Sequence, residues 1–193
     1  MSIHRRTTAA AIVAAVIVVA GVARPAAAQW QKPPESVIKS WETRVVTDAQ
    51  KIRTTERDGI NAFLDSLRAS TCVKNKPQGL TTIGSFGQLL MNSRAKADQN
   101  LPNELGASFR GFLSVRPAPP IPGKLGSLTG ESKINEHYSR EANDAKAGTM
   151  GGLSQLMGCK EVSQTQTKLD QLRNQAHDAL LNMMRMAQQN ASK

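Results

Sequence analysis

Apolar residues recur at Ile38, Trp41, Val45, Ala49, Ile52, Ile60, Phe63 and Leu67 in steps of three and four, with Glu56 the one break in the stripe. Ile38, Ala49 and Ile60 repeat every eleven residues, which corresponds to about 3.67 residues per turn, a nearly straight helix with slight right-handed drift. Pro34 and Ser36 supply start signals, and Cys72 lies just past the end. The pattern predicts a helix over residues 36–70, about 50 Å long at about 1.5 Å per residue. Gly59 is expected to bend it, at about 1 kcal/mol relative to alanine.

A second stripe runs through Val162, Leu169, Leu172, Ala176, Leu180, Met183 and Ala187, with Thr165 filling one of its positions. Its near-heptad spacing predicts a long helix over residues 160–190 with a narrow apolar face. Residues 73–158 differ. They read as a smaller Gly/Pro-rich helical insertion, with short helical patterns around Phe86–Met91 and Leu105–Leu113. The prolines of "RPAPPIPG" exclude a helix there. "ESKINEHYSREANDAKAG" predicts a polar helix whose weak face is Ile134, Tyr138, Ala142 and Ala145. No stretch carries a clear strand alternation, so the fold class expected is all-α.

The N-terminus sets the compartment. Arg5 and Arg6 precede an uncharged stretch from Thr7 to Ala23, and Arg24 and Pro25 close it before "AAAQ". Its apolar core is about fifteen residues, short of the roughly 20 that a spanning helix needs. A positive flank, a short apolar core and an A-x-A site make a secretory signal peptide. Residues 1–28 are therefore expected to be removed, leaving residues 29–193 as a single mature domain without a transmembrane segment. "HRRTTAA" lacks the bulky apolar residues that favour the twin-arginine route. The expected location is periplasmic or secreted.

Two cysteines remain in the mature chain, Cys72 and Cys159. In an oxidising compartment an even pair reads as one disulfide. Neither has a close cysteine or histidine neighbour that would make a redox or metal motif. The loop closed is roughly 88 residues, which the chain-entropy account values at about 4.5 kcal/mol. Cys72 follows the first long helix and Cys159 precedes the last, so the bridge would pin both at a shared end and favour antiparallel pairing. The expected architecture is two long amphipathic helices stapled by a disulfide, with the insertion between them.

Composition and charge narrow the function. Aromatic residues are 4% of the chain, so the core must be aliphatic, which suits packed helices better than a β-sandwich. Removing residues 1–28 takes away Arg5, Arg6 and Arg24 and no acidic residue, lowering the net charge from +10 to +7. The positive charges are scattered and lack interleaved aromatics, which argues against nucleic acid and suits an anionic envelope surface. Glu131, Glu136, Glu141 and Asp144 alternate with Lys133, Arg140 and Lys146, a pattern expected of a solvated, paired surface. No G-x-S-x-G and no phosphate-loop context is present, so no catalytic residue is assigned and an enzyme is not expected.

The soft side chains carry the remaining chemistry. Met183, Met184 and Met186 cluster in "LLNMMRMAQ". Thioethers select Cu(I), but flexible methionines more commonly fill helix interfaces or adaptable binding surfaces. His137 and His177 lack a ligand spacing. His177 with Met184 is the weak candidate for copper or non-covalent haem, so no resident cofactor is expected. The reading is a non-catalytic exported protein that acts by contact with an envelope partner or by self-association, through Trp41, Met183, Met184 and Met186. A periplasmic copper, haem or small-ligand carrier is one alternative. An accessory subunit of a secretion or conjugation apparatus is the other, since signal peptide, long helices and a small insertion suit it too.

Overall fold

A computed structural model describes residues 31–115 and 128–191. The expected signal peptide at residues 1–28 and the proline run after Arg116 lie outside the described residues. Those described form an all-α fold: α1 Glu35–Ala69, α2 Thr71–Lys74, α3 Gly79–Ser114, α4 Glu131–Gly152, a 3-10 turn Ser154–Leu156, α5 Lys160–Ser163 and α6 Thr165–Ala191. α1 matches the predicted 36–70 within one residue at each end. It stops because Ser70 turns out of the helix and its hydroxyl accepts the Val73 N–H, which starts α2. The predicted last helix is interrupted at Gln164, between α5 and α6.

The insertion contains more helix than its glycines and prolines announce. The patterns at Phe86–Met91 and Leu105–Leu113 belong to one helix, α3, which is 36 residues long and passes through Pro102. Proline inside a helix removes one hydrogen bond and costs about 3 kcal/mol. Here Leu101 and Leu105, both fully buried on the same face, hold the helix through that defect by packing.

α1, α3, α4 and α6 form an up-down-up-down bundle. α1 packs on α3 and α6, and α4 packs on the other side of the same two helices. Each neighbouring pair is antiparallel: Arg53 meets Asp98 and Glu42 meets Arg110 between α1 and α3, while Leu172 lies against Gly59 between α6 and α1. Arg94 meets Glu141 between α3 and α4, and Thr129, just before α4, meets Gln188 of α6. The Cys72–Cys159 disulfide closes one end, with a Cα–Cα distance of 5.7 Å. Gly59 serves close approach: a Cβ there would stand 3.0 Å from Leu172 Cδ2.

Two apolar clusters fill the bundle. One surrounds the disulfide, built on Leu64, Leu67, Ile83, Phe86, Leu153 and Leu169. The other occupies the opposite end, built on Ile38, Val45, Leu105, Phe109, Ile134 and Leu180. Among the described residues no helix is long and apolar enough to cross a membrane.

Candidate functional site

Between the two apolar clusters lies a layer of buried charge to which all four long helices contribute. α1 supplies Arg53 and Glu56, α3 supplies Arg94 and Asp98, α4 supplies Tyr138 and Glu141, and α6 supplies Arg173. Arg53, Glu56, Arg94, Tyr138 and Glu141 are all between 2% and 6% exposed. Arg53 donates through Nε to Asp98 at 2.9 Å, through Nη1 to Glu56 at 3.1 Å and through Nη2 to Glu141. Its guanidinium also lies 5.2 Å from the centre of the Tyr138 ring. Arg94 donates from Nη1 to Glu56 at 2.9 Å and to Glu141 at 3.2 Å. The Tyr138 hydroxyl donates to Glu56 at 2.9 Å.

The electrostatics follow from this pairing. Burial alone would push the Arg53 guanidinium down. The hydrogen bond and charge of Glu141, helped by Tyr138 and Glu56, overcome that and hold it above its ordinary value. Arg94 is raised in the same way, with burial opposed by Glu56 and then Glu141. Tyr138 is pushed far above the usual tyrosine range by burial first and the Glu56 charge second, so its proton stays in place. Removing one partner from such a buried set costs about 3–5 kcal/mol, because an unpaired charge remains. The layer therefore acts on register. A one-turn slip of α1, α3 or α4 would strand a charge between the apolar clusters.

A cavity of about 20 Å³ adjoins the layer, lined by Glu56, Ser93, Arg94, Glu141, Leu169 and Arg173; that is room for about one water molecule. Arg94 Nε makes no hydrogen bond to the described residues.

The second feature is on the surface. An open groove of about 400 Å³ lies between α1 and α6, with Trp41, Val45 and Ile52 on one wall and Met183, Met186 and Ala187 on the other. The Trp41 ring is fixed from below by Phe109, with centroids 6.1 Å apart, and Arg44 covers its outer face at 5.7 Å. Met186 is 61% exposed.

The sequence-derived site residues thus separate. Trp41, Met183 and Met186 come together along the groove. Met184 does not: it is fully buried in the second apolar cluster, so it packs the core and is withheld from a contact surface. Its i+1 offset from Met183 turns it about 100° round the helix. His177 and Met184 stand seven residues apart on α6, roughly 10 Å along the axis. The His177 ring is engaged by Asn135 Oδ1 at 2.8 Å and Asp178 Oδ1 at 3.2 Å. The two do not converge. No group of three or more His, Cys, Asp or Glu among the described residues is arranged to hold a metal ion.

Glu141 was expected on a solvated face and is instead buried in the layer, because the neighbouring arginines of α1 and α3 satisfy it there. The layer has a sequence signal. Charges stand among the buried positions of each helix: Arg53 and Glu56 in α1, Arg94 between Leu90 and Ala97, Glu141 between Tyr138 and Ala145, and Arg173 between Leu169 and Ala176. Only the break at Glu56 is conspicuous alone; the others become meaningful once the helices are aligned. The chain matches no protein-family model, no curated protein and no solved structure.

Proposed function

We propose that this is an exported helical protein of the cell envelope that works by protein–protein contact and not by catalysis. The observation that carries the proposal is the groove, where Trp41, Met183 and Met186 converge on an open, apolar, surface-facing strip between two helices that are otherwise packed. Methionine walls adapt to a partner's side chains, and exposed apolar strips rimmed by polar groups mark interaction sites. The disulfide supports an oxidising location, in keeping with the signal-peptide pattern of residues 1–28. The ionic layer fits a scaffold role, since its carboxylates are held by arginines and its cavity is far below substrate size.

The test is photocross-linking in intact cells, with a photoreactive residue at position 186 and, as control, at position 89. Leu89 is similarly exposed, at 59%, but lies on α3. A discrete protein adduct from position 186, absent at position 89, is the expected result. Equal or absent adducts at the two positions would overturn the contact reading.

A further inference from the structure

We infer that the α1–α6 groove receives an amphipathic helix with an acidic flank, contributed by another protein. This rests on the contact reading above and names the chemistry of its partner.

The spacing of the walls points to a helix. α1 presents Trp41, Val45, Asp48 and Ile52, and α6 presents Ala179, Met183, Met186 and Asn190. Both rows step by three and four residues, the spacing whose gaps accept side chains from a further helix lying alongside. From Trp41 to Ile52 the groove runs eleven residues of α1, about 16 Å, or roughly three turns of an incoming helix. Its anchors at i, i+3 or i+4 and i+7 would meet the methionines.

Charge sets the flank. The α1 rim carries Arg44 and Lys51 either side of Asp48, at 3.9 Å and 3.7 Å from its carboxylate. Two cations share one anion, so this rim is left with net positive charge. Arg44 and Lys51 keep side-chain exposures of 69% and 74% although both lean on Asp48, so an incoming carboxylate can reach them from solvent. The α6 wall contributes Asn182 and Asn190, and exposed Arg185, which donates to Asn182 Oδ1, adds a cation at its edge. A complementary helix therefore sets carboxylates over the Arg44–Lys51 rim of α1, and Arg185 favours acidic groups on the α6 side as well. A second copy of this chain would bring another net-positive molecule to this rim. An acyl chain would carry no charge to answer the positive rim. The net charge of +7 that remains without Arg5, Arg6 and Arg24 steers an acidic partner in the same sense.

The experiment uses the disulfide-bonded chain and two labelled amphipathic peptides of about 18 residues, roughly five turns, identical in their leucine face and flanked by glutamate or by lysine. Fluorescence anisotropy gives affinity. The expected result is that the glutamate-flanked peptide binds about tenfold more tightly than the lysine-flanked one. Arg44→Glu with Lys51→Glu should reverse that order, and Met186→Asp should weaken both peptides. All three substituted residues are solvent-facing, and circular dichroism checks that each variant retains its fold. Equal affinities, absence of peptide binding, or an order that survives the charge reversal would overturn the acidic flank. Binding to phosphatidylglycerol vesicles in place of either peptide would overturn the helical occupant in favour of a lipid. Binding untouched by Met186→Asp would remove the groove as the site. Failure here with a position-186 adduct in cells leaves the contact reading standing, whereas loss of that adduct removes both.

Discussion

Tyr138 is the chain's one tyrosine, and it sits with its hydroxyl on Glu56 and its ring under Arg53, between two apolar clusters. Its folded pKa is raised by burial and by the Glu56 charge. A group raised on folding contributes stability that is present below its unfolded value, about 10 for tyrosine, and lost as pH climbs through the folded value. Above about pH 10 the unfolded chain releases the proton and the folded chain keeps it. The ultraviolet absorbance of tyrosinate reads this directly. We expect no tyrosinate signal at about pH 11, one unit above the ordinary value, while circular dichroism still reports a folded bundle; the signal should then appear together with unfolding. A titration midpoint near 10 in a folded protein would show that Tyr138 is solvated and that the layer is open. Glu141 and Arg53 follow the same logic of mutual satisfaction. Neither could be recognised from its local sequence, because the partner that makes burial tolerable lies on a different helix, 88 residues away in the chain.

At the scale of the element, α1 was legible because its stripe is long, Pro34 and Ser36 mark its start and Cys72 lies just past its end. α3 was not. Its eight apolar and glycine positions from Gly79 to Leu105 that become buried are interrupted by Arg94 and by Pro102, so the sequence breaks into two short patterns where the chain makes one helix. Glycine accounts for part of this. In a helix it is costly unless a neighbour needs the space, and α3 contains both cases. A Cβ at Gly106 would lie 2.5 Å from Val46 Cγ2, whereas one at Gly84 would meet nothing within 4 Å. The two substitutions to alanine gain the same helix propensity, so their difference isolates packing. Gly84→Ala should stabilise the protein by about 0.5–1 kcal/mol. Gly106→Ala should destabilise it by about 1–3 kcal/mol through overpacking against α1. Denaturant midpoints check both, and equal stabilisation would show that α1 and α3 do not approach closely at that level.

The whole molecule is a bundle with one end tied by Cys72–Cys159, the middle fixed in register by charge, and the far half of the α1–α6 face left as a groove. The all-α class and the disulfide could be read in advance, since stripe spacing and cysteine position are local signals. The bundle's order and its ionic layer could not, because they depend on which helix neighbours which. Likewise Trp41, Met183 and Met186 could be named as contact residues, but only the packing of α1 against α6 shows that they share a surface and that Met184 faces away from it. The central claim is that this surface holds another protein. Native mass spectrometry of the chain recovered from the periplasm, without reductant or chelator, tests it most directly when the unsubstituted protein is compared with Met186→Asp. The account predicts a chain beginning at Gln29, disulfide-bonded, bound to a second polypeptide, and the same chain released by the substitution. A lone chain carrying copper, haem or a lipid, or a complex indifferent to Met186→Asp, would contradict it.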